Sequence, residues 1–201
     1  MKLKFVSLLL FVVIASCAQE KSPLIGETEW QKKMNADFKD ASKSPLKDKD
    51  RKAFKSLEFF SVDSAFVVKA HLTRTPDEVP FKMPTTTSRM PMYVKYGELN
   101  FSIKGEDYKL NIYQNLELLT EAGYEDYLFL PFMDKTNGKS TYAGGRYVES
   151  RIQEGDTLNI DFNTAYNPYC AYNEKYSCPI VPNENYIDVE VTAGVKVFKK
   201  H

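Results

Sequence analysis

The chain has 201 residues, with 27 basic and 27 acidic side chains, and 13% of its residues are aromatic. This length suits one domain with a hydrophobic core, and the balanced charge, without a basic patch, argues against a nucleic-acid-binding protein. Tyrosine and phenylalanine supply most of the aromatic residues, which favours a β-rich fold.

The first residues have the pattern of a bacterial lipoprotein signal peptide. Lys2 and Lys4 precede an apolar run over residues 5–15, which is too short to span a membrane but suits a signal-peptide core. Residues 14–17, Ile-Ala-Ser-Cys, resemble a lipobox. The resemblance implies that residues 1–16 are removed and that the Cys17 thiol carries a lipid such as palmitate. A plain signal peptide with an incidental cysteine is the alternative.

The residue after the lipobox bears on the location of the protein. Ala18 stands there instead of an aspartate, which favours the outer membrane of a Gram-negative cell. The membrane is therefore the expected partner, through the lipid on Cys17, and the cell envelope is the expected compartment. Residues 17–27 then form the lipidated end and a tether, and residues 28–201 form a single β-rich domain.

Helix signals are confined to the start of this domain. Thr28 and Gln31 have the spacing of a capping box. An apolar side chain then recurs at every fourth position, at Trp30, Met34 and Phe38. This pattern predicts an amphipathic helix over about residues 29–41, with its apolar stripe packed on the core. The charged segment 48–54 predicts a second, short surface helix.

Alternation of apolar and polar residues predicts strands along most of the remaining chain. The clearest segments are 65–72, 98–104, 108–112, 141–149, 158–162, 187–193 and 195–198. Residues 127–132 are apolar at every position, so this strand is expected to be buried on both faces. With about nine strands, the predicted fold is mainly β: an antiparallel sheet forming a sandwich or a barrel, with an N-terminal α-helix.

Several short strings in the second half of the chain resemble one family. They are Leu130–Thr136, Thr141–Tyr147, Asp161–Asn163, Ala165–Pro168, Cys170–Tyr172, Cys178-Pro179 and Glu184-Asn185. Together they resemble the domain-of-unknown-function family numbered 1684, over about residues 30–194. That family has no assigned activity, so the resemblance implies the identity of the domain and no particular chemistry.

Two cysteines remain once Cys17 is acylated. Cys170 and Cys178 form an even pair in an oxidising compartment, which predicts a disulfide. Their spacing differs from the C-x-x-C of thioredoxin-like sites. A buried pair of free thiols and a redox-active pair are the alternatives.

The rarity of histidine argues against several kinds of catalytic site. The chain has two, His71 on a predicted strand and His201 at the end, and neither lies in a G-x-S-x-G or H-E-x-x-H motif. We therefore expect no zinc site and no cofactor, and we predict no metal ligands. A Ca²⁺ site on the carboxylates of Asp134 and Asp161 remains an alternative, although their spacing is not that of an EF-hand.

The stretch 163–185 is dense in tyrosine and asparagine and contains no glycine. Asp161 and Asn163 are expected on the same face of a strand, and Glu184 ends the stretch. If these groups converge, they form a pocket with aromatic walls and an arginine as anion anchor. The predicted ligand-binding residues are Arg146, Tyr142, Asn163, Asn167, Tyr172 and Asn185.

A structural interpretation of the same stretch remains open. Arg146 would then form a buried ion pair with Asp161 or Glu184, the asparagines would cap turns, and the tyrosines would cover the end of the sheet. Asn167-Pro168 also has the form of a helix start, and tyrosines follow at spacings of three and four. This arrangement predicts a short helix with a tyrosine stripe.

These patterns support three hypotheses of function. The first is a lipid-anchored envelope protein that binds a small polar or anionic ligand or a partner. The second is a hydrolase-like envelope enzyme in which Glu184 or Asp161 acts as acid/base and Arg146 stabilises an anion. The third is a purely structural envelope protein.

Overall fold

The structure of the protein is a computed structural model that describes residues 26–198. The predicted signal peptide, the lipobox with Cys17 and His201 lie outside the described residues, as does nearly all of the predicted tether. Within residues 26–198, no helix has the length and apolar character needed to cross a membrane.

Two α-helices lie at the N-terminal side of the described chain, as the sequence predicts. Helix α1 spans Glu29–Lys39, and its first turn has the expected capping box, in which Thr28 Oγ1 accepts the N–H of Gln31 at 3.2 Å. Its apolar stripe packs against a small cluster that includes Leu57 and Tyr172. Helix α2 spans Asp48–Ala53 and buries none of its residues.

Eight strands form one curled sheet, a half-barrel, which confirms the mainly β fold with an N-terminal helix. The strands are β1 Val67–Arg74, β2 Phe81–Lys82, β3 Met92–Ile103, β4 Glu106–Asn115, β5 Tyr127–Asp134, β6 Arg146–Arg151, β7 Thr157–Asp161 and β8 Tyr186–Ile187. The sheet order is β6-β5-β4-β3-β1-β7, with β2 added to β3. These pairings are antiparallel, whereas β8 runs parallel to β5.

Strand β5, which lies between β6 and β4, is buried on both faces, as its apolar sequence predicts. Successive side chains of a strand point to opposite faces of the sheet. Leu128, Leu130 and Phe132 therefore enter the main core, which also receives apolar side chains from β1, β3, β4, β6 and β7. Tyr127 and Phe129 enter a second cluster on the other face. We call these two sides of the sheet the core face and the cleft face.

Four predicted elements differ from the structure. The strand expected from residue 141 begins at Arg146, because Gly145 lies in a turn with φ +87° and so close to the chain that an added Cβ would meet Phe132 O at 2.7 Å. The helix expected after Asn167-Pro168 is a single 3₁₀ turn, Tyr169–Ala171.

The strands expected over 187–193 and 195–198 are reduced to β8 and to one isolated bridge between Val195 and Phe59. The backbone between them is paired with side chains instead. The N–H of Val191 donates to Asp134 Oδ1 at 3.2 Å, and the Val191 carbonyl accepts from Arg146 at 2.8 Å. These bonds satisfy the buried backbone groups that a sheet ladder would otherwise satisfy.

Candidate functional site

A cleft of about 560 Å³ lies between α1, the cleft face of the sheet and the segment 166–179. We call it the aromatic cleft, because eight aromatic side chains line it. They are Trp30, Tyr93, Tyr127, Phe129, Tyr147, Tyr166, Tyr169 and Tyr176. A cleft of this size, lined mostly by apolar groups with a few polar ones, has the usual character of a small-molecule site.

The floor of the aromatic cleft consists of neighbouring residues on β5 and β6. Phe129 pairs with Glu149 across the two strands, so both side chains lie on the cleft face. Tyr147 lies on the same face, and its ring contacts that of Phe129 at 4.7 Å between centroids and 70° between planes. Such edge-to-face contacts hold the rings in fixed positions. The floor is therefore rigid before any ligand enters.

One wall of the cleft belongs to the tyrosine-rich stretch. The backbones of Tyr166 and Tyr147 exchange two hydrogen bonds, of 2.9 and 3.0 Å, which attach this wall to the floor. Further along, the Tyr147 hydroxyl donates to the carbonyl of Pro179. Tyr169 and Tyr176 stack edge to face at 5.3 Å between centroids. The stretch therefore does form part of a site, although through different residues from those predicted.

Helix α1 supplies the opposite wall. Trp30 and Met34 present apolar surface, and Lys33 and Asp37 present charge. The Lys33 ammonium lies 2.6 Å from Asp37, and this hydrogen bond lowers the pKa of the Asp37 carboxyl. Lys43 also contacts Asp37, at 3.1 Å. Two lysines thus share the one carboxylate of Asp37, and of these three groups Lys33 and Asp37 line the cleft.

Glu149 places a carboxylate on the floor of the cleft. Its Oε1 accepts a hydrogen bond from the Tyr166 hydroxyl at 2.7 Å. Arg151, two residues along the same face, pairs with Asp126 at 2.6 Å instead. Within the described range 26–198, Glu149 forms no ion pair with a lysine or arginine. Its carboxylate therefore lines the cleft without a directly paired cation among these residues, although Arg151 is close enough to feel its charge.

The phenols around Glu149 remain protonated well into the alkaline range. Burial raises the pKa of the Tyr166 hydroxyl far above its ordinary value, and burial likewise raises the pKa values of Tyr127 and Tyr147. A buried phenolate would lose its hydration, so the neutral form is favoured. These hydroxyls are hydrogen-bond donors as well as aromatic surface.

Residues 52–196 match the model of a family described as "Protein of unknown function (DUF1684)". The chain belongs to the DUF1684 family. The match confirms the resemblance that the sequence strings indicate, but it begins after α1 instead of near Trp30. No curated protein matches this DUF1684 chain.

A solved structure gives independent support for the fold of this DUF1684 domain. The chain is similar to an uncharacterized protein of Haloarcula marismortui, determined by solution NMR, with 32% sequence identity and a TM-score of 0.66. The alignment covers 85% of this chain and 91% of the archaeal chain. Neither the family nor this relative has a described activity, so the chemistry has to be argued from the site.

Arg146 of the DUF1684 domain lies on the core face and does not reach the aromatic cleft. Its side chain is 0% exposed, and Nη2 lies 2.9 Å from Asp134 Oδ2 and 2.8 Å from the Val191 carbonyl. Nη1 donates to the Ala193 carbonyl. Burial lowers the pKa of the guanidinium, and the adjacent Asp134 opposes this effect. The structure thus places Arg146 in a buried ion pair, with Asp134 instead of Asp161 or Glu184, and not in an anion site.

Two of the predicted ligand-binding asparagines hydrogen-bond to backbone groups of distant segments. The Asn185 amide, 0% exposed, accepts the N–H of Asn111 at 2.9 Å and donates to the carbonyls of Asn111 and Pro131 at 2.8 and 2.6 Å. Asn163 accepts from the Asp63 N–H at 3.0 Å and donates to its carbonyl at 2.9 Å. Both amides are occupied by the backbone and are unavailable to a ligand.

The other predicted ligand-binding residues also lie outside the aromatic cleft. Asn167 Nδ2 donates to the Tyr172 hydroxyl at 3.2 Å and to the Lys196 carbonyl at 2.9 Å. Tyr172 is buried against Phe38 of α1, with 4.8 Å between ring centroids. Tyr142 contacts Cys170 instead of the cleft. The predicted set of six therefore does not converge on one pocket.

The two carboxylates predicted as acid/base groups, Asp161 and Glu184, have different structural environments. Asp161 Oδ1 accepts from the Asn163 backbone N–H at 2.9 Å and from its side-chain amide at 2.8 Å, which caps the turn after β7. Glu184 is exposed and accepts from the Tyr113 hydroxyl at 3.4 Å. Neither carboxylate lines the aromatic cleft, and Arg146 contacts neither of them. This arrangement gives the hydrolase-like hypothesis no assembled site.

Cys170 and Cys178 are both free thiols in the structure, so the predicted disulfide is not formed. They are nevertheless neighbours, because the backbone N–H of Cys170 donates to Cys178 Sγ at 3.2 Å. Cys178 lines the aromatic cleft. Within residues 26–198, no group of three or more His, Cys, Asp or Glu side chains could hold a metal ion.

The sequence interpretation did not identify Glu149 as a site residue. A signal for it exists, because strand alternation places Arg146 and Val148 on one face and Tyr147 and Glu149 on the other. Val148 is an aliphatic residue of the core face, so Glu149 has to face away from the core. The sequence alone does not show which face meets the core, because Val148 on one face and Tyr147 on the other could both be buried.

Proposed function

We propose that this DUF1684 protein binds a small amphipathic ligand in the aromatic cleft. The ligand has a flat apolar part and a cationic or hydrogen-bond-donating group that is directed at Glu149. The observation that carries this proposal is the set of eight aromatic rings around one carboxylate that has no cationic partner among residues 26–198. The faces of aromatic rings attract cations, and the charge of the solvent-exposed Glu149 carboxylate adds to that attraction.

This proposal keeps the binding hypothesis and reverses the charge expected of the ligand. An anionic ligand was expected because an arginine would anchor it, but the guanidinium of Arg146 is paired within the core. In the aromatic cleft, Lys33 is compensated by Asp37, and Glu149 leaves an excess of negative charge. Electrostatic complementarity therefore favours a positive ligand over a negative one.

A titration with charged and neutral aromatic probes tests this proposal. Trp30 is the single tryptophan of the chain and lines the cleft, so its fluorescence reports binding at this place. We expect benzyltrimethylammonium to bind more tightly than benzyl alcohol, and benzoate to bind least. Glu149→Gln is expected to weaken binding of the cation about tenfold, or about 1.4 kcal/mol, and to leave benzyl alcohol unaffected.

Two further variants make the titration decisive. Glu154→Gln removes the same charge from an exposed turn outside the cleft, and it should leave binding of the cation unchanged. Tyr166→Phe keeps the ring and removes the hydroxyl that donates to Glu149, and it should retain the preference for the cation. Equal affinities for the cation and for benzoate, or an unchanged affinity in Glu149→Gln, would show that the cleft does not select a cation.

We also propose that the domain is anchored in the cell envelope through a lipid on Cys17, most simply at the outer membrane of a Gram-negative cell. Support comes from the basic start, the short apolar run and the lipobox-like residues 14–17. Cells grown with an alkyne-labelled palmitate should yield labelled protein in the membrane fraction. Cys17→Ser should abolish the label, whereas Cys170→Ser should retain it. Label that persists in Cys17→Ser would refute this anchor.

A further inference from the structure

Cys170, Cys178 and Tyr142 form a small polar cluster at the back of the tyrosine-rich wall. The Cys170 N–H donates to Cys178 Sγ at 3.2 Å, so the Cys178 sulfur lies within side-chain reach of the Cys170 thiol. The Tyr142 hydroxyl lies 4.0 Å from Cys170 Sγ. Cys170 is half-buried and Cys178 is buried, so the former is the more accessible to a small reagent.

The second cysteine is held in place by an adjoining loop. The N–H of Cys178 donates to Thr86 Oγ1 at 3.1 Å, and the N–H of Thr86 donates to the Cys178 carbonyl at 2.9 Å. Both backbone groups of Cys178 are thus fixed while its side chain points to Cys170. Such a pair is arranged so that the sulfurs can approach without unfolding of either segment.

The surroundings favour the charged form of one thiol. The pKa of Cys170 is lowered to about 6, mainly by a hydrogen bond from the Cys178 thiol and also by the hydroxyls of Tyr142 and Thr86. Conversely, its contact with Cys170 and burial raise the pKa of Cys178. Burial raises the pKa of Tyr142 to about 12, so this hydroxyl remains a donor. The opposite directions of these shifts favour the thiolate at Cys170 over Cys178, and the thiolate is the nucleophile.

We propose that Cys170 and Cys178 form a peroxide-reactive dithiol site, in which Cys170 attacks the oxidant and Cys178 closes a disulfide. This inference does not depend on ligand binding in the aromatic cleft. It differs from a permanent structural disulfide, because it assigns separate roles to the two sulfurs and requires a reduced state.

The reaction has two steps that balance. First, the Cys170 thiolate attacks one peroxide oxygen, so that an S–O bond forms, the O–O bond breaks, and the departing oxygen takes a proton to give water or an alcohol. Second, the Cys178 thiol attacks the sulfur of the resulting sulfenic acid. The S–S bond forms, the S–O bond breaks, and hydroxide leaves with the Cys178 proton as water. The two thiols lose two electrons and the peroxide gains them.

The test uses the full chain with Cys17→Ser, in which Cys170 and Cys178 are the remaining thiols. The protein is reduced, desalted, treated with hydrogen peroxide, and then alkylated for intact-mass analysis. We expect loss of two hydrogens and no alkylation, reversed by dithiothreitol. With Cys178→Ser, a sulfenic acid on Cys170 should be trapped by dimedone. With Cys170→Ser, Cys178 should remain an alkylatable thiol after the same treatment.

A pH profile separates an activated thiol from mere proximity. Alkylation of Cys170 in the Cys178-containing protein should reach half its maximal rate near pH 6. Tyr142→Phe removes one donor to the thiolate, and a rise of one unit in the pKa would slow alkylation at pH 6 about fivefold. Circular dichroism of each variant checks that the fold is retained. Two thiols that stay alkylatable after peroxide, or equal reactivity of Cys170→Ser and Cys178→Ser, would overturn the assignment.

Discussion

Replacing Arg146 with methionine is expected to lower the free energy of unfolding by about 3 to 5 kcal/mol. The change leaves the Asp134 carboxylate, which is also 0% exposed, without its cation. It also removes the donors that the carbonyls of Val191 and Ala193 accept from. Methionine largely preserves the apolar contacts of the arginine side chain. The expected loss of stability therefore comes mainly from the unpaired buried charge of Asp134.

Urea denaturation of the wild type and of two matched variants measures this effect. Arg151→Met makes the same substitution on the same strand, but the Arg151 side chain is 49% exposed in its pair with Asp126. We expect this control to lose at most about 1 kcal/mol. The double variant Asp134→Leu/Arg146→Met should recover stability relative to Arg146→Met, because no buried charge remains. Similar losses for Arg146→Met and Arg151→Met would contradict the role of burial.

Asn185→Ala should be the second strongly destabilising substitution, with a loss of roughly 3 to 4 kcal/mol. Pro131 interrupts the ladder between β4 and β5, because proline has no backbone N–H to donate. The Asn185 amide fills the gap, since it bonds both backbone groups of Asn111 and the carbonyl of Pro131. Removing it leaves the buried Pro131 carbonyl and the two partly buried backbone groups of Asn111 without this partner.

Asn183→Ala is the control for this prediction, because Asn183 lies in the same 3₁₀ turn, Asn183–Asn185, and is exposed. Thermal unfolding should separate the two variants, with the control within about 0.5 kcal/mol of wild type. Hydrogen exchange adds a local measurement, since the Asn111 amide should lose protection in Asn185→Ala. Retained protection at Asn111 would mean that the side chain does not substitute for a strand.

Local patterns account for the parts of the fold that the sequence predicts. The capping box of α1 and the alternation in β1, β3, β4 and β7 depend on residues close together in the chain. The last part of the chain differs because its partners are distant. Residues 189–193 have the alternation of a strand, yet Asp134 and Arg146 bond their backbone in place of a neighbouring strand. No local pattern indicates which of these solutions the fold adopts.

The site was harder to predict for the same reason. The density of tyrosine and asparagine singles out the stretch 163–185, and Tyr166, Tyr169 and Tyr176 of this stretch line the aromatic cleft. The charged group of the site depends on which face of β6 meets the core. Arg146 and Glu149 are three residues apart on a strand and therefore lie on opposite faces of the sheet. Only one of these two side chains can face the cleft. Which of the two faces the cleft is determined by the pairing of β6 with β5, which the local sequence does not reveal.

Helix α1 has a consequence for how such a protein can diversify. The helix supplies Trp30, Lys33, Met34 and Asp37 to the cleft, yet it precedes the matched family region, residues 52–196. The floor, with Glu149, lies inside that region. The carboxylate therefore lies within the part of the chain that the family model describes, whereas the α1 wall of the cleft lies before it. Substitutions along one face of α1 are therefore expected to change the shape and charge of this wall while the sheet and the Glu149 floor stay the same.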